Sequence, residues 1–262
     1  MRLKDLNGVI KESELFADHE LLTEVQRKLA ALGFYTIKVD GLPGPHTRSA
    51  ITAFCAAHHL NNSTTGQYGA TFAKALIEAK APELAVDPIQ VAHLMRCPVN
   101  NVKKYLPAVV DALKEQGILS RPVLIAALAT IGVETGVFAP IREIGGPAYF
   151  TKMYEGRKDL GNTQPGDGAK FSGKGFIQIT GRANYRYFGQ KLGIDLEKHP
   201  ELALEPVTAA KILALYMEER GVATAANSCD WRAARKRVNG GYNGWSHFIN
   251  LVQALSPLKV NL

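Results

Sequence analysis

Two glutamates nine residues apart, Glu134 and Glu143, have the settings in this chain best suited to proton transfer. Glu134 closes an apolar run, Val123 to Val133, and Thr135 and Gly136 follow it at once. A carboxyl at the far end of a buried helix meets the negative end of the helix dipole and partly apolar walls. Both favour the protonated form, which a general acid requires. Glu143 lies in a segment punctuated by Pro140, Gly145, Gly146 and Pro147, which reads as loop. Two carboxyls in unlike surroundings can divide acid and base roles between them. Taken alone, this stretch favours a plainer reading, since most glutamates are simply solvated. The rest of the chain shifts that balance.

The helix that must carry Glu134 begins at Pro122, where a missing N–H costs nothing. Its body has almost no polar face, so it should be buried on all sides. Before it, Leu22, Val25, Leu29 and Leu32 share one face of a helix over Glu20–Leu32, which Gly33 stops. A turn cluster from Val39 to Pro45 precedes a second helix capped by Thr47, and a third fits Ala70–Lys80. Three short helices around a small core make a bundle near the lower size limit for independent stability. Prolines 82 and 88 mark a linker. Beyond it, helices fit Ile89–Arg96, Val102–Gln116, Ala148–Tyr154, Arg182–Leu192, Pro206–Arg220, Trp231–Val238 and Trp245–Leu255. A glycine-rich loop covers 156–175, and Phe176–Thr180 alternates like a short strand. The expected fold is mainly α: a bundle over 1–80, a linker over 81–88 and a larger helical domain over 89–262.

The chain carries 31 Lys+Arg against 24 Asp+Glu, a net charge of +7. That balance suits an anionic partner such as nucleic acid, a membrane surface or a bacterial wall. The basic residues are scattered apart from Arg232, Arg235, Lys236 and Arg237, a group that reads as a solvated helix face, so charge alone does not choose the partner. Cys55, Cys97 and Cys229 are widely spaced and read as buried thiols rather than a disulfide scaffold or zinc site. His58–His59 has no further ligand at metal spacing. Gly168 to Lys174 imitates a phosphate loop, but Gly175 stands where Ser or Thr is needed and no apolar strand precedes it. The charged N-terminus lacks the apolar region of a signal peptide, and no run reaches membrane-spanning length. The expectation is a monomer made in the cytoplasm, without membrane insertion or nucleic-acid partner, reaching an external substrate only after the membrane is permeabilised.

Val25-Gln26-x-x-Leu29-x-x-Leu32-Gly33-Phe34-Tyr35, then Val39-Asp40-Gly41-x-x-Gly44-x-x-Thr47-x-x-Ala50-Ile51-x-x-Phe54, and Thr65-Gly66 resemble the peptidoglycan-binding domain type 1 family. The resemblance implies bacterial peptidoglycan as the partner, with Asp40, Gly41 and Thr47 as candidate wall-binding residues. A second resemblance rests on Gly173-Lys-Gly-Phe-Ile-Gln-Ile-Thr-Gly-Arg-Ala-Asn-Tyr185. With Glu134-Thr-Gly136 before it and Val238-Asn-Gly-Gly-x-Asn-Gly244 after it, this stretch looks like the signature of family 19 glycoside hydrolases. These are the chitinases and the chitinase-like lysins of phage type. The match implies a lysozyme-like helical fold with a cleft between two lobes.

Carried over, Glu134 would donate a proton to the glycosidic oxygen, Glu143 would activate a water on the opposite ring face, and Thr180 would hold that water. Glu155 and Asp167 are the alternative bases. Gln178, Asn184 and Asn239 would bond sugar N-acetyl and hydroxyl groups, although Gln178 and Asn184 could equally satisfy the loop backbone. Tyr185 joins them as a candidate substrate contact, in the role of a packing or cleft-wall residue. No cofactor or metal is implied. Three functions follow as expectations: a wall-anchored muramidase acting by an inverting acid/base mechanism, a chitinase, or a non-catalytic wall-binding protein.

Overall fold

The apolar residues gather into two cores in the computed structural model, which describes residues 1–35, 37, 39–79, 85–258 and 260–261. The first core is enclosed by α1 (Glu12–Ala17), α2 (His19–Ala31), α3 (Pro45–Ala57), α4 (Asn62–Thr65) and α5 (Ala70–Glu78). An antiparallel pair, β1 (Ile10–Lys11) with β2 (Gln67–Tyr68), ties its two ends together. Leu22, Val25 and Leu29 of α2 meet Phe54 of α3 and Phe72 and Leu76 of α5, all fully buried. Phe54 packs edge-on against Phe34 and Phe72, at 5.7 and 6.0 Å between ring centres. Asp18 starts α2 by accepting the Leu21 N–H at 3.0 Å.

The second domain opens with β3 (Ala85–Val86), α6 (Pro88–Met95), α7 (Val99–Glu115) and α8 (Arg121–Thr135). It continues through β4 (Ile141–Arg142), α9 (Pro147–Tyr154), α10 (Asp167–Lys170), β5 (Lys174–Gly175) and α11 (Arg182–Leu192). It closes with α12 (Pro206–Glu219), α13 (Val222–Asn227), α14 (Trp231–Asn239), α15 (Trp245–Leu255) and β6 (Val260–Asn261). Helix α8 is the axle: every residue from Pro122 to Gly132 is buried. Helices α13, α14 and α15 pack around it, and α2 of the first domain touches it. Such enclosure explains the missing polar face, and shortening a core leucine such as Leu128 would cost about 2–5 kcal/mol.

Two sequence expectations need correction. Residues 81–84 of the expected linker lie outside the described residues, and its remaining part, from 85 on, is not linker. Ala85–Val86 pairs antiparallel with Val260–Asn261, and Asp87 caps α6 by accepting the Ile89 N–H at 2.9 Å. A pairing across the whole domain leaves no local trace in the sequence. Phe176–Thr180 is not a strand either. Lys174 and Ile179 bridge antiparallel, and the residues between them make a tight turn with Gln178 at φ 52°. The alternation arises because Phe176, Ile177 and Ile179 are all buried around that turn. Gly175 precedes it at φ +88°, and a Cβ there would lie 2.8 Å from the Ala203 carbonyl oxygen.

The domains meet where α13 hands over to α14. The Val39 N–H donates to the Ser228 carbonyl at 2.6 Å. Cys229, 4% exposed, sits in the first core with its Sγ 3.9 Å from the Tyr35 carbonyl. Burial there pushes its thiol up to about 12. Trp231 packs against both cores. One helix earlier, Ser120 caps α8 and donates its hydroxyl to Asn227 Oδ1 at 2.6 Å.

Candidate active site

Glu134 stands in the last turn of α8, which Gly136 ends in the left-handed conformation. Its side chain is 22% exposed, and its Oε1 accepts from Arg235 Nη1 at 2.8 Å. The Arg235 guanidinium is 3% exposed. Its Nε and Nη2 donate to the Asn243 carbonyl at 2.9 and 2.6 Å. Asn239 Nδ2 donates to the same oxygen at 2.9 Å, and the Gly241 N–H returns to Asn239 Oδ1 at 3.0 Å. The late asparagine–glycine motif therefore builds a clasp for an arginine, and the arginine holds the acid. The sequence reading of partly apolar walls did not include this charged partner.

Arg235 is the residue that sequence reasoning missed, since the basic group around it read as a solvated face. Arg232, Lys236 and Arg237 are exposed, but Arg235 shares a helical stripe with Ala234 and Val238, all buried. A charge on an apolar stripe was the available signal. Because a guanidinium only donates, Oε1 of Glu134 is committed as an acceptor, and Oε2 is the oxygen that Arg235 does not engage.

Eight residues lie between the two glutamates, and their route is pinned. Thr135 Oγ1 bonds the Ile131 carbonyl at 2.9 Å, and Asn101 of α7 holds the Val137 carbonyl at 2.7 Å. Phe138, fully buried at φ 52°, plugs into the core near Phe176. Ile141 and Arg142 then pair with Gly175 and Lys174. Glu143 follows directly. Its N–H donates to the Gly173 carbonyl at 2.8 Å, and its Oε2 accepts the Gly173 N–H at 2.9 Å. The Tyr154 hydroxyl donates to Oε1 at 2.7 Å. Burial, reinforced by this bond, holds the tyrosine well above its ordinary range, so it remains a donor. Both Glu143 oxygens accept from fixed groups, which is how a carboxylate base is oriented.

The alternative bases are spoken for. Glu155 accepts the Gly166 and Gly168 N–H groups at 2.6 and 2.7 Å and so staples the glycine-rich loop to α9. Asp167, 1% exposed, is paired with Arg182 and accepts the Thr163 and Gln164 N–H groups at 3.0 Å each. The Arg182 bond holds its carboxyl below the usual range.

Thr180 donates to the Gln178 carbonyl at 3.1 Å and is half-buried, with its lone pairs uncommitted by that bond. Gln178 Nε2 spends both protons on the Ile141 and Gly175 carbonyls at 2.9 and 2.8 Å, which locks β4 to β5. Asn184 Nδ2 bonds the Thr180 carbonyl at 2.7 Å. Both amides hold the loop backbone, the plainer of their two sequence readings. Tyr185 must be removed from the substrate contacts. It is fully buried, with its hydroxyl on the Ser172 carbonyl at 2.8 Å.

The wall-binding candidates also change. Gln26, fully buried, accepts the Asp40 and Gly41 N–H groups at 3.2 and 2.8 Å. Its Nε2 donates to the Leu42 carbonyl at 2.9 Å and to Thr47 Oγ1 at 3.1 Å. Thr47 is 1% exposed and Gly41 is buried, so neither can touch a polymer. Gly41 is required at φ +70°, where a Cβ would lie 2.3 Å from Thr23 Oγ1. These motif residues shape the turn, and only Asp40 is exposed. Among the described residues no group of three or more His, Cys, Asp or Glu could hold a metal ion, and no helix is long and apolar enough to cross a membrane.

The fold is mainly α-helical, a small bundle followed by a larger helical domain with two oriented glutamates. Residues 18–76 match the family described as a putative peptidoglycan binding domain. A glycosyl hydrolase family 19 domain-containing protein of Haemophilus influenzae is 34% identical over 104 residues, 40% of this chain and 50% of that protein. The chain thus spans about half the length of that relative. Chitinase C from Streptomyces griseus is similar with a TM-score of 0.54 at 21% identity, covering 70% of this chain and 80% of that one. A bacterial family 19 chitinase is similar with a TM-score of 0.50 at 18% identity, covering 68% of this chain and 97% of that one. The larger part of the chain has the fold of the family 19 chitinases, joined to a segment of the peptidoglycan-binding family.

Proposed function

We propose that the chain is a wall-anchored glycoside hydrolase that cuts the β-1,4 bond between N-acetylmuramic acid and N-acetylglucosamine by an inverting acid/base mechanism. The observation that carries this reading is the pair of clasped glutamates in a chain that also holds a peptidoglycan-binding segment. Glu134 protonates the glycosidic oxygen from Oε2 as the C–O bond breaks. Glu143 takes a proton from the water that attacks the anomeric carbon from the opposite face, and Thr180 accepts that water's other proton as a hydrogen bond. Inversion needs the carboxyls about 6.5–9.5 Å apart, with the water between them. Anchoring by the first domain raises the local substrate concentration without altering the chemistry.

Chitin is the second reading, favoured by the solved chitinases that share the fold. Incubating the protein with purified peptidoglycan and with chitin, then identifying new reducing ends by mass spectrometry, separates the readings. Muramic acid ends support the proposal, and chitin oligomers alone replace it with the chitinase. Binding without products refutes hydrolysis. Glu134→Gln is expected to abolish turnover and leave wall binding intact.

A further inference from the structure

A cavity whose lining includes neither glutamate lies among the described residues. It has a volume of about 530 Å³ and opens between the two domains. Trp231 and Trp245 form apolar walls, Tyr35 closes the first-domain side, and Arg121, Arg232 and Gln253 supply polar groups. A volume in this range, mostly apolar with a few convergent polar groups, is typical of small-ligand sites.

The charges give the cavity a sign. Arg121, at the first position of α8, donates to the Ser256 carbonyl and forms no ion pair with a carboxylate among the described residues. Partial burial disfavours its charge, so a guanidinium is kept there at a cost. Arg232 lies over the Tyr242 and Trp245 rings, 4.7 and 5.9 Å from their centres, and likewise has no carboxylate partner among the described residues. Stacking fixes the guanidinium plane and leaves its N–H edge for an acceptor. Asp230 is the one acidic residue on the wall, and its Oδ1 caps α14 by accepting the Ala233 N–H at 3.1 Å. Two cations among aromatic rings suit a ligand that is apolar along its body and carries a carboxylate.

We infer that this interdomain cavity binds the peptide-bearing part of a peptidoglycan strand, with Arg121 and Arg232 on its carboxylate and the two tryptophans against its sugar and alanyl faces. The choice of ligand rests on the proposed wall-directed function. The site itself is separate from the glutamates, so it acts as a second hold on the strand between anchor and catalytic domain.

The chain has only two tryptophans, and both line this cavity, so intrinsic fluorescence reports on it directly. N-acetylmuramoyl-alanyl-isoglutamine is the probe, because it carries the carboxylate and has no glycosidic bond to cut. N-acetylglucosamine is the neutral control. Titration of the full chain should give a saturable change in tryptophan emission with the muramoyl peptide and none with the neutral sugar. Arg121→Gln and Arg232→Gln should each weaken binding about tenfold, and Glu134→Gln should leave it unchanged. No emission change up to millimolar probe, an equal response to the neutral sugar, or full binding in both arginine variants would overturn the inference. Wall hydrolysis without a tryptophan response sinks this site and spares the proposed function. A saturable response without hydrolysis does the reverse.

Discussion

Replacing Arg235 by methionine tests the clasp on Glu134 more sharply than removing the acid itself. The guanidinium is 3% exposed and makes one bond to Glu134 and two to the Asn243 carbonyl. A hydrogen bond involving a charged group contributes about 1.5–3 kcal/mol and an ordinary one about 1 kcal/mol. Two effects offset the loss. Glu134, 22% exposed, can turn to water, and Asn239 still donates to Asn243. Methionine also removes the desolvation cost of a buried cation. The net loss should be about 2–4 kcal/mol, lowering Tm by about 5–15 °C for a domain of this size. The effect on turnover should be larger than that on stability, because a catalytic group misplaced by an ångström can cost about a hundredfold in rate. We expect kcat on peptidoglycan to fall about a hundredfold, measured well below the lowered Tm, with wall affinity unchanged. Arg235→Lys keeps the charge but lacks the fork and should recover only part of the rate. In a double-mutant cycle with Glu134→Gln, the unfolding free energies should be non-additive by about 1–2 kcal/mol. Wild-type kcat in Arg235→Met, or additivity within error, would refute the clasp.

Three further outcomes are expected. Tyr154→Phe removes the donor on Glu143 Oε1 and should lower kcat about tenfold with little change in KM or Tm; wild-type turnover would show that this bond does not orient the base. Lys174, 2% exposed and bonded to the Lys170 and Ser172 carbonyls, is lowered to about 8, chiefly by burial and further by Arg142. The unfolded chain then binds more protons than the fold between pH 8 and about 10.5, so stability rises with pH across that window. Denaturant unfolding should show wild type gaining up to about 3 kcal/mol there relative to Lys174→Met; parallel curves would refute the shift. Cys55 and Cys229 are buried and Cys97 is half-buried, all three reduced and raised by desolvation. Ellman's reagent should therefore find at most one thiol in the native protein and three after denaturation, and two native thiols would contradict the packing at Cys229.

Much of the helical framework was legible because it is local chemistry. Arg182–Leu192 and Trp245–Leu255 appear at the residues read from periodicity, and α8 announces its burial through the lack of any polar face. The seat of Glu134 at a helix end and of Glu143 on a pinned turn could also be read, since proline and glycine punctuate both. What the residues do there could not. Gln178, Asn184 and Tyr185 look like ligand contacts in a motif, yet their polar groups answer backbone carbonyls that only the folded loops present. The same holds for Asp40, Gly41 and Thr47, whose shared partner Gln26 lies 14 or more residues away. Arg235 meets Glu134 across 101 residues, and the cavity between Arg121 and Trp231 exists only once the two domains dock. Backbone periodicity and turn chemistry act over a few residues, so the sequence alone determined the elements and the positions of the two acids along them. The partners of buried charges are set by which helices pack together, and that was decided by tertiary structure, because desolvation makes a buried guanidinium costly unless a distant acceptor closes on it.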